Sequence, residues 1–293
     1  MFTGAMTALV TPFRETRDGG VDDAALAQLI EAQILAGIDG LIPCGTTGEA
    51  PTLEPEEHAH VVRVTVEAAR KRVPVIAGTG ANSTAHTIAL SKAAHAAGAD
   101  GLLVVTPYYN RPTQEGLVRH YKAIAEAVPL PLIVYNIPGR TGGDLTNDTF
   151  FRLVSDVPRV VGLKDAAGSP ARAQEAVRRL GDRVAVLSGD DALNLAFYAV
   201  GARGCISVAS NVIPKLVAGV WDAAAAGDFV KAREIHFKTL AISDALFVET
   251  SPQPVKAALH MMGMIGPGIT PLYAMSGPAR ERLRAVLAEH GLV

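Results

Sequence analysis

Short apolar runs alternate along the chain with longer segments of helical periodicity. The apolar runs lie at 8–10, 40–43, 73–77, 101–105, 132–135, 160–164, 185–188 and 204–208. Continuous apolar runs, rather than strict alternation, are typical of parallel strands that are covered on both faces. Amphipathic helices are predicted between them, at 22–35, 55–70, 84–97, 113–128, 146–154, 171–180, 192–200 and 214–226.

Strand–helix units that repeat in this way predict an α/β fold, the (β/α)8 TIM barrel, over residues 1–227. A doubly wound sheet is the alternative, but it usually needs fewer units. Residues 228–293 contain no strand candidate, and helices are predicted there at 231–247, 254–262 and 278–289. We therefore expect one barrel with a C-terminal helical extension packed on it.

Composition narrows the functional classes. Hydrophobic residues make up 49% of the 293 residues, which is enough for a large core. Lys and Arg number 27 against 29 for Asp and Glu, and this balance argues against nucleic acid or an anionic membrane as a partner. No apolar stretch is long enough to span a membrane, and the N-terminus has no basic region typical of a secretory signal. We expect a cytoplasmic protein, with Cys44 and Cys205 as buried thiols.

Lysine positions indicate where chemistry could occur, because TIM barrels carry their active sites at the carboxyl ends of the strands. Seven of the eight lysines, Lys256 among them, fall in predicted helices or loops, where a solvated or helix-capping charge is expected. Lys164 alone closes an apolar strand. Apolar walls should lower the pKa of its amine and make it a nucleophile near neutral pH. The alternative is a structural lysine paired with Asp165.

Other strand ends bring polar groups to the same face. Residues 45–49 follow the second strand and offer small hydroxyl donors and backbone amides for a carboxylate. Residues 106–110 and 135–140 supply three tyrosines and Arg140. Tyrosines that converge on a lysine favour a proton relay, although structural hydrogen bonds are their alternative. Arg140 is a candidate clamp for a substrate carboxylate, unless it forms only a loop salt bridge.

No cofactor or metal site is predicted. The glycine-containing segment 78–82 lacks the third glycine and the acidic residue of a dinucleotide loop. His58 and His60 point to different faces of a predicted helix, and the other histidines are scattered. Carbonyl chemistry on Lys164 without a cofactor is what remains.

Several motifs together resemble the dihydrodipicolinate synthase family of pyruvate-dependent class I aldolases, which is related to N-acetylneuraminate lyase. The similarity extends over the whole chain, and the motifs occur in family-like order at 45–49, 108–112, 135–141, 162–165, 188–191 and 252–256. The resemblance implies an enzyme that condenses pyruvate with L-aspartate 4-semialdehyde, the first committed step of the diaminopimelate route to lysine.

The resemblance also implies roles for individual residues. Lys164 would form the Schiff base with pyruvate, and Tyr135 would donate and accept protons beside it. Thr46 and Tyr109 would complete a relay to solvent, with Tyr109 inserted from a neighbouring subunit. The residues implied to bind substrates are Thr47, the backbone of Ile206, Gly189 and, for the carboxylate of the semialdehyde, Arg140. A homo-oligomer, commonly a dimer of dimers, follows from the same resemblance.

Two alternative functions stay open. A 2-keto-3-deoxy sugar acid aldolase or N-acetylneuraminate lyase would share the lysine, the tyrosine and the 45–49 motif. Such lyases typically lack an arginine at the position of Arg140, which favours the synthase. A non-catalytic binding barrel would be expected to lack Lys164 or Tyr135, and both are present.

The chain departs from the family pattern at two places. In lysine-inhibited relatives an effector site holds lysine through a Ser, two His, an Asn, a Glu and a Tyr. The corresponding residues here are Ala50, Pro55, His58, Asn82, His86 and Tyr108. Without the carboxylate, inhibition by lysine should be weak or absent. Ser251 and Gln253 also differ from the family's usual motif, with no clear consequence.

Overall fold

A computed structural model describes residues 2–14, 20–268 and 274–293, and its central element is one eight-stranded parallel sheet. The strands are β1 Gly4–Ala8, β2 Gly40–Ile42, β3 Ile76–Gly78, β4 Gly101–Val105, β5 Leu132–Asn136, β6 Val160–Asp165, β7 Ala185–Ser188 and β8 Gly204–Ser207. Their order is β2-β1-β8-β7-β6-β5-β4-β3, and a parallel bridge between Leu41 and Val75 joins the two ends. The predicted (β/α)8 barrel is confirmed.

Helices follow the strands and surround the barrel. They are α1 Asp23–Leu35, α2 Pro55–Ala69, α3 Thr84–Ala96, α4 Gln114–Ala127, α5 Pro138–Thr141, α6 Asn147–Asp156, α7 Pro170–Leu180, α8 Asn194–Ala199, α9 Pro214–Ala225, α10 Phe229–Ala245, α11 Gln253–Met261 and α12 Gly277–Glu289. Thr113, Thr146 and Ser169 accept a backbone N–H at the starts of α4, α6 and α7, which explains why these helices begin there.

The first strand lies earlier than predicted. The apolar run at 8–10 suggested its position, but β1 pairs with β8 from Gly4 onward and ends at Ala8. Thr7 interrupts the apolar pattern of this strand. Its hydroxyl donates a 2.6 Å hydrogen bond to buried Gln33 Oε1. A polar side chain is tolerated in a buried strand when such a partner exists. The short helix α5 was not predicted.

The protein has two apolar cores, one inside the barrel and one between the barrel and the surrounding helices. The inner core is made by alternate strand residues: Met6, Ala8, Ile42, Ile76, Leu103, Ile133, Tyr135, Ala185, Leu187 and Ile206. The outer core packs the strands against the helices. Because strand side chains alternate, Tyr135 and Lys164 face inward, whereas Asn136 and Asp165 face the helices.

The C-terminal helices continue the outer layer. Helix α10 packs against α9 and α12, and α11 packs against α12 and against the 3₁₀ turn Ala209–Asn211 that follows β8. The helical extension is confirmed, and α11 reaches the end of the barrel that carries the strand-end motifs. Among the described residues, no helix combines the length and apolar character needed to cross a membrane.

Candidate active site

Lys164 and Tyr135 lie side by side inside the barrel. They are register partners on β6 and β5, and Lys164 Nζ lies 4.3 Å from the centroid of the Tyr135 ring. Both side chains are buried near the carboxyl ends of their strands. The predicted lysine–tyrosine pair is therefore formed within one chain.

Burial lowers the pKa of the Lys164 amine to about 8. The nearby Arg140 charge adds to this effect, whereas Asp191 and Cys205 oppose it. With a pKa near 8, roughly a tenth of the molecules carry a neutral amine at pH 7. That fraction is available to attack a carbonyl carbon.

Asp165 does not pair with Lys164. Its carboxylate faces the helices, where Oδ2 lies 3.3 Å from Arg172 Nε and Oδ1 accepts the Ala167 N–H at 3.0 Å. Within the described ranges, no ion pair involves Lys164. The alternative of a structural lysine paired with Asp165 is wrong, because consecutive strand residues point to opposite faces.

Tyr135 keeps its proton near neutral pH. Burial raises the pKa of its phenol to about 12, although the Arg140 charge and a hydrogen bond with the Thr46 side chain pull it down. A protonated phenol next to an amine can donate a proton and take it back. Thr46 follows β2, so its contact with Tyr135 connects the phenol to the end of that strand.

Residues 45–49, named here the β2 turn, form a compact loop. The N–H groups of Gly48 and Glu49 donate to the carbonyl oxygens of Gly45 and Thr46, each at 3.1 Å. Glu49 adopts a left-handed conformation with φ of 59°. Thr46 is half-buried and Thr47 is buried.

Gly189 and Ile206 belong to the same end of the barrel. A Cβ atom at Gly189 would lie 3.1 Å from Lys164 Cε and 2.9 Å from Ala166 Cβ, so only glycine leaves room for the lysine stem. Ile206 lies on β8 in the inner core with 1% exposure.

A cavity of about 190 Å³ opens at this end of the barrel. Thr46, Tyr135 and Arg140 line it together with Ala50 and Tyr108. A space of this size suits a small organic acid.

Arg140 lies on the short helix α5 at the mouth. Its Nη2 donates a 3.0 Å hydrogen bond to the Ser251 carbonyl oxygen, and its side chain is exposed. No loop salt bridge to Arg140 is present in the described part of the chain. The guanidinium is held in place by a carbonyl group and keeps its charge unpaired for an anion.

Tyr109 lies away from the lysine of its own chain. Its residue is 89% exposed, its φ is 73°, and its N–H donates to the Thr141 carbonyl oxygen at 3.2 Å. Tyr135 is therefore beside Lys164 within one chain and Tyr109 is not, and the entry of Tyr109 into a neighbouring subunit stays a prediction. The left-handed turn at Tyr109 directs this side chain to the surface, while Tyr108 lines the cavity.

The predicted effector-site residues are spread around the cavity. His58 is buried, its Nε2 lies 2.8 Å from the Gly78 carbonyl oxygen, and burial and the nearby His86 lower its pKa. Ala50 and Tyr108 line the cavity wall. The remaining three residues, Pro55, Asn82 and His86, are exposed. Three of the six positions, Ala50, Pro55 and His86, lack the group expected of an effector site, and weak binding of lysine stays a prediction.

Sequence reasoning missed the surroundings of Lys256. We expected a solvated charge, but this residue is 1% exposed, and its Nζ donates to Glu49 Oε1 at 2.5 Å and to the Thr11 carbonyl oxygen at 3.0 Å. One signal was available, because Lys256 stands among the apolar residues Val255, Ala258 and Leu259 in a predicted helix. The partner, far away in the sequence, was not predictable.

The described part of the chain contains neither a cluster of metal-ligating side chains nor a thiol with a lowered pKa. No group of three or more His, Cys, Asp or Glu side chains could hold a metal there. His60 Nε2 instead lies 2.7 Å from Asp23 Oδ1. Cys44 and Cys205 are buried, as predicted, and burial raises the pKa of both thiols.

Proteins of known sequence and structure resemble this chain over its full length. Residues 1–290 match the dihydrodipicolinate synthetase family. The chain belongs to the dihydrodipicolinate synthetase family. Two curated relatives are named 4-hydroxy-tetrahydrodipicolinate synthase: that of Syntrophus aciditrophicus (strain SB) is 52% identical, and that of Geobacter sulfurreducens is 50% identical. Each alignment covers 100% of both chains.

Solved structures of the dihydrodipicolinate synthetase family have the same fold. The crystal structure of dihydrodipicolinate synthase from Aquifex aeolicus superposes with a TM-score of 0.96 at 46% identity, over 99% of each chain. The chloride-inhibited enzyme from Acinetobacter baumannii, crystallised with pyruvate, superposes with a TM-score of 0.97 at 47% identity over 100% of each chain. These agreements confirm the family resemblance and the fold.

Proposed function

We propose that this chain is a 4-hydroxy-tetrahydrodipicolinate synthase, a lyase that condenses pyruvate with L-aspartate 4-semialdehyde. The observation that carries the proposal is the buried Lys164 amine, which lies 4.3 Å from the Tyr135 ring and has its pKa lowered to about 8. Full-length relatives with 52% and 50% sequence identity to this chain bear the name of this enzyme. The site supplies the nucleophile that the reaction needs without a cofactor.

The first half of the reaction builds a nucleophile from pyruvate. The neutral Lys164 amine attacks the ketone carbon, and loss of one water leaves a protonated imine. Tyr135 passes the protons that this step moves, with Thr46 hydrogen-bonded to it. The cationic imine then acidifies the methyl group, and loss of a methyl proton gives an enamine. Thr47 and the backbone of Ile206 hold pyruvate in this proposal.

The second half forms a carbon–carbon bond and closes the ring. The enamine carbon attacks the aldehyde of the semialdehyde, whose carboxylate binds Arg140 at the mouth. The amine of the bound intermediate then attacks the imine carbon and displaces Lys164, which returns as a free amine. Gly189 leaves room for the lysine stem during these steps, because a side chain there would contact Lys164 Cε.

The active unit in this proposal is at least a dimer. Tyr109 is 89% exposed and does not approach the lysine of its own chain, so it is free to enter a neighbouring site. A dimer of dimers and a cytoplasmic location remain predictions from the sequence. So does the division of the chain at residue 228, with the barrel before it.

The test is mass spectrometry after incubation with pyruvate and borohydride, beside a Lys164→Ala control. We expect a pyruvate-sized adduct on the peptide that contains Lys164 and none in the control. Enzyme that has not been treated with borohydride is then assayed with pyruvate together with L-aspartate 4-semialdehyde or with sugar aldehydes in turn. Turnover with sugar aldehydes alone would replace the synthase by a sugar acid aldolase. A folded protein without an adduct would contradict the proposed chemistry.

A further inference from the structure

We propose that Lys256 and Glu49 are positioning residues that hold the β2 turn where it receives the carboxylate of pyruvate. The proposal rests on the proposed function, because it assigns pyruvate to this turn. It also gives helix α11, outside the predicted barrel, a direct part in building the active site.

The two residues form an enclosed ion pair. Both side chains are fully buried, and Lys256 Nζ lies 2.5 Å from Glu49 Oε1. The same ammonium donates to the Thr11 carbonyl oxygen at 3.0 Å and lies 4.3 Å from the centroid of the Phe13 ring. A buried charge is tolerated only with such partners, so the pair fixes where Glu49 can lie.

Glu49 passes this constraint to the β2 turn. Its N–H donates to the Thr46 carbonyl oxygen at 3.1 Å, and its backbone is in the left-handed region. On the other side, the Thr11 hydroxyl donates to the Gly48 carbonyl oxygen at 2.8 Å. Thr46 in turn lines the same cavity as Tyr135. Hydrogen bonds therefore run from Lys256 through Glu49 to Thr46, which lines the cavity of the proposed proton carrier.

The chain just before Lys256 supports the other side of the mouth. Ser251 is 3% exposed, and its carbonyl oxygen accepts the hydrogen bond from Arg140 Nη2 at 3.0 Å. Residues 251–256 thus contact both groups that are proposed to bind carboxylates. The C-terminal extension completes the mouth of the barrel at two points.

The test compares Lys256→Met with the matched control Leu259→Ala. Leu259 lies on the same helix and is fully buried, so its truncation opens a cavity and lowers stability without touching the ion pair. Melting temperature, kcat, KM for pyruvate and the pyruvate dependence of borohydride trapping are measured for both variants. We expect Lys256→Met to raise the pyruvate concentration needed for half-maximal trapping by about tenfold or more, and the control by less than about twofold.

Equal pyruvate dependence in the two variants, at comparable loss of melting temperature, would overturn the positioning role. If Lys256→Met does not fold, Glu49→Gln decides, because it keeps the shape and an acceptor oxygen but removes the charge. We expect an increase of about threefold in the same pyruvate concentration for that variant. No increase would overturn the proposal.

A double variant separates positioning from simple stability. Replacing both residues by methionine removes the charges together, and apolar replacement of a buried ion pair often restores stability. We expect the melting temperature to recover while pyruvate binding stays weak. Recovery of both would show a merely structural pair. Wild-type protein that is not labelled at Lys164 would instead contradict the proposed function itself.

Discussion

Lys164 and Lys256 are both buried at the same end of the molecule, in opposite surroundings. Lys256 Nζ donates hydrogen bonds to a carboxylate at 2.5 Å and to a backbone carbonyl oxygen at 3.0 Å, and these contacts occupy the amine. Lys164 meets an aromatic face and apolar walls, so burial lowers its pKa to about 8. Burial alone does not make a nucleophile. Burial without a paired carboxylate does.

The largest expected effect comes from Tyr135→Phe. This change keeps the ring against Lys164 but removes the hydroxyl that carries protons, so kcat should fall by about a hundredfold to ten-thousandfold. Steady-state assays with both substrates measure the loss. Circular dichroism provides the control for folding, and activity within about threefold of wild type would remove the phenol from the mechanism.

Arg140→Ala should separate the two substrates. The guanidinium is exposed at the mouth and fixed by Ser251, so its loss should raise the KM for the semialdehyde by about tenfold to a hundredfold. The pyruvate concentration for half-maximal borohydride trapping should change by less than about threefold. An equal rise for both substrates would place Arg140 in the pyruvate site instead. Arg140→Lys tests whether the planar fork or only the charge matters.

Asp191→Asn tests how nearby charge affects the Lys164 amine, because it removes a negative charge close to that amine. The Asp191 carboxylate raises the pKa of Lys164 against the effect of burial, so its neutralisation should lower that pKa further. More neutral amine is then present at pH 7, and the trapping rate there should rise by about twofold to fivefold.

Asp165→Asn is the control for this change, since Asp165 is adjacent in sequence but faces the helices. The trapping rate is measured as a function of pH for both variants. A midpoint that shifts to higher pH in Asp191→Asn, or that shifts equally in both variants, would contradict the electrostatic explanation.

The smallest effect is expected from added lysine. Ala50, Pro55 and His86 replace polar or acidic groups of the effector site, and burial keeps His58 neutral. Initial rates at millimolar lysine should stay within about twofold of the rate without it. Full inhibition below millimolar lysine would show that another set of residues binds the effector.

Local patterns made most of the barrel predictable. Apolar runs identify strands that are covered on both faces, and the position of Lys164 at the end of such a run placed it in the active site. Tyr135 followed from the same rule, because strand ends of a barrel share one face.

Long-range contacts explain what the sequence did not reveal. Lys256 and Glu49 are separated by 207 residues, so no local pattern shows that their charges meet in the interior. The exposed position of Tyr109 depends on a left-handed turn of its loop, which residue types alone did not indicate. β1 was misplaced because the buried partner of Thr7 lies on another element.

The most direct measurement follows pyruvate-dependent borohydride labelling at both lysines of the wild-type protein as the pH rises. Peptide mass spectrometry reads the adduct on Lys164 and on Lys256 in the same sample. We predict labelling of Lys164 alone, with a rate that increases as pH rises toward about 8 and then levels off as the amine becomes neutral. Labelling of Lys256, or a Lys164 rate that increases only near the pKa of an ordinary lysine, would contradict the account.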